Sequence, residues 1–155
     1  MPEVLPSGQE AVDKFAGKDL NNDGNIVNLV VCGNSRFYQT DWVEHRLDQW
    51  VSWNSKPDLV ILGGASGVDS LVEKWATENH IQLAIFNEAW NEPRIGEQDT
   101  GRPEASPKLG SKMLDYATHV LAFPGPKSKW TTTMINKAID RSIPLVSIPT
   151  PTALD

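Results

Sequence analysis

Residues 58–76, with the sequence DLVILGGASGVDSLVEKWA, decide the fold because they hold a strand, a turn and a helix in succession. The apolar run at residues 58–62 predicts a buried strand, and two glycines end it. Apolar residues at helical spacing follow the turn: Val68, Leu71, Val72, Trp75 and Ala76. The stretch is therefore predicted to be part of a parallel β-α-β arrangement.

The same alternation of apolar runs and helical patterns continues on both sides of this stretch. Strands are predicted at residues 28–32, 58–62, 83–86, 119–123 and 144–148. Helices are predicted at residues 41–53, 68–76 and 108–116, and again where Met134, Ile135, Ala138 and Ile139 share one face. Parallel strands need right-handed crossovers, so we predict an α/β fold of Rossmann-like design, a three-layer sandwich with a mainly parallel sheet. For its five strands we choose the order 3-2-1-4-5.

The two ends of the chain differ in composition from this repeating part. Apart from a short helical pattern at residues 9–16, the N-terminal residues are polar and rich in turn formers. We predict an N-terminal extension at residues 1–27, one domain at residues 28–148 and a C-terminal tail at residues 149–155. The long polar stretch from Asn87 to Pro107 is typical of a lid or a disordered insertion.

Charge and cysteine content limit the classes of partner. The chain has 14 Lys and Arg against 20 Asp and Glu, a net charge of -6, which disfavours general binding to nucleic acids. Cys32 is the only cysteine, so no disulfide forms within the chain, which suits a reducing compartment. No signal peptide and no bilayer-spanning apolar stretch is recognisable. We therefore expect a cytoplasmic protein without a membrane partner.

The loop after the first strand lies where this sheet order places a binding site. Ligands of such folds bind beyond the carboxyl ends of the strands, at the switch point between the first and fourth strands. Gly33 lets the backbone approach a ligand, and Asn34 and Ser35 offer hydrogen bonds. Arg36 offers a charged fork for a phosphate, although a solvated arginine in an ordinary turn is an equal alternative.

The loop after the second strand has the sequence GGASGVDS. Its glycines permit positive φ and leave backbone N–H groups to bind an anion before a helix N-terminus. Asp69 can contact a ribose hydroxyl, or can cap the helix and interact with its dipole. The pattern matches neither the dinucleotide fingerprint nor the P-loop. The predicted ligand contacts here are Gly63, Gly64, Ala65, Ser66, Gly67 and Asp69.

The loop after the fourth strand, FPGPKSKWTT, adds basic and hydroxyl groups. Two lysines can neutralise a phosphate, and either of two threonines can cap the last helix while donating to an anion. Trp130 can stack on a base or pack the loop onto the body of the domain. The predicted ligand contacts here are Pro124, Gly125, Lys127, Lys129, Thr131 and Thr132.

Taken in order, these elements resemble the YspA-type, YpsA-related branch of the SLOG superfamily, the SMF/DprA and LOG group, over about residues 28–148. The matching motifs are VVCGNSR at residues 30–36, GGASGVDSLVEKWA at residues 63–76, AFPG at residues 122–125 and TTTMINKA at residues 131–138. The resemblance implies a Rossmann-like fold and a nucleotide-derivative site in these loops. Superfamily relatives include phosphoribohydrolases that cleave the base from a nucleoside monophosphate, DNA-processing proteins, and sensors of nucleotide signals.

Two departures from related patterns bear on catalysis. Met134 stands where the LOG branch has its catalytic glutamate, and a thioether cannot act as acid or base. Leu109 and Gly110 stand where the YspA-type branch has an Arg-Asn pair. We therefore predict a sensor or sequestering module that binds a phosphate-bearing, nucleotide-type small molecule without a cofactor. An N-glycosidase using Asp69 or Glu73, a nucleic-acid-processing module and a homo-oligomer stay open.

One segment carries part of a metal-binding pattern. Residues 19–26, DLNNDGNI, match the start of an EF-hand calcium loop, but its twelfth position is Val30 where a glutamate is needed. The three histidines lack the spacing of a zinc helix. We predict a polar turn at residues 19–26 and no metal site.

Overall fold

The computed structural model describes residues 8–64, 67–86, 107–126 and 128–151. The predicted lid or insertion therefore lies outside the described residues, apart from Pro107. The helices are α1 (Gly8–Phe15), α2 (Thr40–Trp53), α3 (Val68–Glu78), α4 (Pro107–Asp115) and α5 (Lys129–Asp140). The strands are β1 (Asn28–Gly33), β2 (Leu59–Leu62), β3 (Gln82–Ile85), β4 (His119–Phe123) and β5 (Leu145–Ser147).

All five strands lie parallel in one sheet, in the order β3-β2-β1-β4-β5. The predicted α/β architecture and strand order are confirmed. β1 occupies the centre, where Val30 pairs with Ile61 of β2 and with Val120 of β4. Every residue of β1 is buried, which explains why its sequence is a continuous apolar run instead of an alternating one.

The helices cover both faces of the sheet, as right-handed crossovers require. On one face α2 and α3 bury an apolar core that includes Leu47, Trp50 and Trp75. On the other face α1, α4 and α5 bury a second core that includes Met113 and Met134. The domain is therefore the predicted three-layer sandwich.

Residues near both ends of the chain contact the sheet. A Cβ atom added to Gly8, at the start of α1, would lie 2.7 Å from the carbonyl oxygen of Ile85, so α1 begins against the end of β3. After β5, the backbone N–H of Ile148 donates to Ala122 at 2.8 Å and that of Thr150 donates to Pro124 at 2.9 Å. None of the helices in the described part of the chain has the length and apolar character of a membrane span.

Candidate functional site at the carboxyl edge of the sheet

The backbone of Asn34 joins three elements at the switch point between β1 and β4. Its N–H donates to the carbonyl of Phe123, at the end of β4, at 3.0 Å. Its carbonyl accepts the N–H of Val68, the first residue of α3, at 3.0 Å and that of Phe37 at 3.3 Å. The β1 loop, residues 34–39, is thus fixed to the start of α3 and to the end of β4.

The side chain of Asn34 is held by the protein itself. Its Oδ1 accepts the backbone N–H of Arg36 at 3.0 Å, and its Nδ2 donates to Oγ1 of Thr150 at 3.4 Å. The structure shows no other hydrogen bond of this side chain with the described residues. Arg36 itself is exposed to solvent, while its backbone N–H is held by the Asn34 side chain.

Gly67 brings the β2 loop against the β1 loop at backbone contact distance. It precedes α3 with φ 73° and ψ -130°, a conformation essentially restricted to glycine. An added Cβ would lie 2.3 Å from the carbonyl carbon of Ser35 and 2.4 Å from the carbonyl oxygen of Asn34. Gly64 also has a positive φ, 71°. The predicted contacts Ala65 and Ser66, and with them the middle of the predicted anion nest, lie outside the described residues.

Asp69 is buried in the first turn of α3, with 2 % of its surface exposed. Gly67 is the N-cap residue of α3, so Asp69 does not occupy the cap position. The carboxylate instead lies within the first turn, where the positive end of the helix dipole stabilises a negative charge. An acidic group is therefore located at the same edge of the sheet as the β1 loop.

The first turn of α5 carries a basic residue, whereas the first turn of α3 carries the acidic Asp69. Its first turn, all of which the structure describes, begins with exposed Lys129 and holds no acidic residue. Thr131, the third residue of α5, is 1 % exposed, and its Oγ1 has no hydrogen-bond partner among the described residues. Lys127 lies outside the described residues. A helix N-terminus, a lysine and a buried hydroxyl are thus combined in one turn.

The cap of α5 differs from the prediction. Ser128 is the N-cap, and neither Thr131 nor Thr132 occupies that position. Oγ1 of Thr132 donates instead to the carbonyl of Ser128 at 2.9 Å. The Ser128 hydroxyl accepts the N–H of Gly125 at 2.8 Å, and the N–H of Ser128 donates to the carbonyl of Gly125 at 3.3 Å. This reciprocal pair fixes the turn that leads from β4 into α5.

Met134 and Gly110 pack directly against each other between α5 and α4. Met134 is 1 % exposed, and a Cβ added to Gly110 would lie 2.7 Å from its Sδ atom. Trp130 is partly buried on the same apolar core, and its ring would lie 3.6 Å from that Cβ. The two positions that depart from related patterns are therefore complementary neighbours in an apolar wall. Trp130 packs on the body of the domain.

On the opposite face of the sheet, aromatic rings connect the β1 loop to β4. The Trp42 ring lies 5.3 Å from that of Phe37 in the β1 loop and 5.5 Å from that of Phe123 in β4, both edge to face. The guanidinium of Arg46 lies 5.5 Å from the Trp42 ring. This cluster supports the base of the β1 loop from the α2 side.

The calcium-like segment forms a turn away from these loops. One carboxylate oxygen each of Asp19, Asp23 and Asp58 lies within 4.8 Å of the other two. Asp19 accepts the N–H groups of Asp23 at 3.2 Å and Gly24 at 2.9 Å, and the Gly24 bond is the main reason that the pKa of Asp19 lies below its usual value. Buried Asp58 accepts the N–H of Asn21 at 2.9 Å and that of Val27 at 2.8 Å. Asp58, the residue before β2, therefore bonds both to the predicted polar turn, through Asn21, and to Val27, the residue before β1.

A comparison against protein families finds a match for the part of the chain that contains two of these loops. Residues 27–92 match the model of the YspA, cpYpsA-related SLOG family. The resemblance noted in the sequence is confirmed over these residues, which make up less than half of the chain. The matched part contains β1, α2, β2, α3 and β3, and with them the β1 loop and the β2 loop.

Comparison with solved structures supports the fold. The chain is similar to a molybdenum cofactor binding protein from the phototrophic bacterium Rippkaea orientalis, with a TM-score of 0.58 and 12% sequence identity. The similarity covers 83% of this chain and 80% of the other. No curated protein matches the sequence.

Sequence reasoning missed two residues that shape this edge. Ser128 has the residue type that helix N-caps prefer, so its position before the helical pattern was a usable signal. Thr150, in the predicted tail, is buried and bonded to both Pro124 and Asn34. No local pattern indicates a contact between residues 116 positions apart.

Proposed function

We propose that this protein binds a phosphate-bearing, nucleotide-type small molecule at the carboxyl edge of its sheet, with the phosphate at the N-terminus of α5. The buried hydroxyl of Thr131 carries this proposal, because no described group satisfies its hydrogen-bonding capacity. Buried polar groups in native proteins nearly always have a partner, and those that lack one need an explanation. A phosphate oxygen at this position would accept the Thr131 hydrogen.

The charge of the first turn of α5 supports an anion at this position. A helix N-terminus carries a partial positive charge, and Lys129 adds a full one without an acidic neighbour in the turn. The first turn therefore holds no negative charge that would offset these positive charges. N-terminal N–H groups without intrahelical partners are suited to bind phosphate oxygens.

The groups around the start of α3 are suited to bind another part of the same ligand. Gly64 presents no side chain to an approaching ligand, and Asp69 offers a carboxylate that accepts hydrogen bonds from hydroxyl groups. We assign the sugar of the ligand to this side and the phosphate to the α5 side. Exposed Arg36, between the two, can reach either phosphate or base.

The comparisons support a binding role for this edge. Superfamily resemblance favours a nucleotide derivative, and a protein of similar fold is named for binding a small cofactor. Buried Met134, where the LOG branch has its catalytic glutamate, favours a sensor or sequestering module over a hydrolase. We place this module in the cytoplasm, in keeping with its lone buried Cys32.

A thermal-shift screen tests the proposal. The panel contains nucleoside mono-, di- and triphosphates, dinucleotides and cyclic nucleotides. A ligand at about 100 times its Kd stabilises the native state by about 2.7 kcal/mol, which is roughly 5–10 °C for a domain of this size. Stabilisation by phosphorylated compounds and not by their nucleosides is expected. Absence of any shift across the panel would argue against a nucleotide site.

Thr131→Val separates a ligand contact from a structural role. The valine removes a hydroxyl that has no described partner, so the free protein should melt no lower than the wild type. Affinity for the best compound of the panel should fall about tenfold to a hundredfold, the effect of a lost hydrogen bond to a charged group. Thr133→Val, which removes an exposed hydroxyl bonded to Lys129 at 3.0 Å in the same helix, is the matched control.

Buried Asp69 favours one alternative, an N-glycosidase acting on nucleotides. A carboxylate near a bound ribose is the group that such a reaction needs as acid or base. Incubation with nucleoside monophosphates, followed by chromatography for the free base, tests it. Release of base by the wild type but not by Asp69→Asn would establish the enzyme and replace the binding proposal.

A further inference from the structure

The segment after β5 forms part of the carboxyl edge. Backbone N–H groups of Ile148 and Thr150 bond to Ala122 and Pro124, so the chain follows β4 beyond its last residue. Thr150 is 4 % exposed and lies between Pro149 and Pro151. A residue before proline is restricted to extended backbone, which orients its N–H and its side chain with little freedom.

The hydroxyl of Thr150 connects the β4 loop to the β1 loop. It donates to the carbonyl of Pro124 at 3.3 Å and accepts from Nδ2 of Asn34 at 3.4 Å. Asn34 in turn accepts the backbone N–H of Arg36 at 3.0 Å. A continuous series of hydrogen bonds therefore runs from the end of β4 through Thr150 to the residue that carries the cation of the β1 loop.

Gly125 closes the remaining space around the Asn34 amide. A Cβ added to Gly125 would lie 2.3 Å from Nδ2 and 2.6 Å from Cγ of Asn34. The amide thus lies between the Gly125 backbone and the Thr150 hydroxyl. A side chain enclosed in this way depends on both neighbours for its orientation.

We propose that Thr150 is a positioning residue of the ligand site: its hydroxyl fixes the Asn34 amide, and through it the backbone of Arg36. The proposal rests on the proposed function, because the β1 loop that it holds is the loop that presents Arg36 to the ligand. Thr150 itself contacts no ligand. Without its hydroxyl the Asn34 amide loses one of its two described partners and the turn at Arg36 loosens.

The test combines a measurement that needs no ligand with one that does. Amide hydrogen exchange is followed by NMR at Arg36, and affinity is measured by calorimetry with adenosine monophosphate as the probe. Thr150→Val should raise the Arg36 exchange rate and weaken affinity for the probe about fivefold to tenfold. Thr150→Ser, which keeps the hydroxyl, should restore both. Thr77→Val removes an exposed hydroxyl bonded to Glu73 in α3 and should change neither.

Gly125→Ala provides a second route if Thr150→Val does not fold. The added methyl displaces the Asn34 amide while leaving Thr150 in place, so faster exchange at Arg36 is again expected. Unchanged exchange at Arg36 in the folded Thr150→Val protein, or unchanged affinity despite faster exchange, would overturn the positioning role. If the wild type binds no adenosine monophosphate, the proposed function loses support, whereas the exchange measurement still decides whether Thr150 holds the loop.

Discussion

Replacing Gly67 by alanine should break the contact between the β1 loop and the start of α3. Two terms add up. A non-glycine residue at φ 73° and ψ -130° is destabilised by about 1–3 kcal/mol. The new methyl would also lie 2.3 Å and 2.5 Å from the carbonyl carbon and oxygen of Ser35, and relieving such overpacking typically costs about 1–3 kcal/mol. We expect a total loss of about 2–6 kcal/mol, or roughly 4–24 °C in Tm.

Gly17→Ala is the matched control for this experiment. Gly17 has a φ of 76°, but nothing lies within 4 Å of an added Cβ, so only the backbone term of about 1–2 kcal/mol applies. Urea denaturation compares the two variants, and the steric term should make the loss in Gly67→Ala larger by about 1–3 kcal/mol. Equal losses of stability in the two variants would refute the backbone contact between Gly67 and Ser35.

Two further predictions concern buried and bonded groups outside these loops. Met134→Glu buries a carboxyl group in an apolar core and should lower the free energy of unfolding by more than about 3 kcal/mol. Thr133→Glu, on the exposed side of the same helix, should change it by less than about 0.5 kcal/mol. Thermal melts compare the two variants, and equal Tm values would contradict the burial of Met134. The pKa of Asp19 is lower in the folded protein than its ordinary value of 3.8, so the ionised carboxylate stabilises the fold at any pH above 3.8. This stabilisation is lost as the pH falls through the lower pKa of the folded state. Asp19→Asn should therefore reduce the Tm at neutral pH and approach the wild type toward about pH 2, and a difference independent of pH would contradict this role.

The strands could be read from the sequence because their signals are local. The run at residues 119–123 is bounded by polar residues and by Pro124, and β4 occupies the same residues, His119–Phe123. The shorter run before Asn87 was predicted at residues 83–86 and is observed one residue earlier, as Gln82–Ile85. The strand order, by contrast, does not follow from the element sequence, because right-handed crossovers are compatible with more than one doubly wound order.

The details of the site could not be read in the same way, because they depend on distances across the fold. The bond from Asn34 to Thr150 joins residues 116 positions apart. The contact between Gly110 and Met134 depends on how α4 and α5 pack, which periodicity does not determine. The N-cap of α5, in contrast, depends only on neighbouring residues. The prediction chose Thr131 or Thr132 as the cap, although Ser128 precedes the helical pattern and has a residue type that N-caps prefer.

The position of Trp42 gives the site a built-in spectroscopic label. Its ring touches Phe37 and Phe123, one from each of the two segments that meet at the switch point, with centroid distances of 5.3 Å and 5.5 Å. A displacement of either segment changes the magnetic and electrostatic surroundings of that indole. Incorporation of 5-fluorotryptophan labels all six tryptophans, and the fluorine resonance that disappears in Trp42→Phe would report on how the β1 loop sits against β4, without any change to the residues that face the ligand.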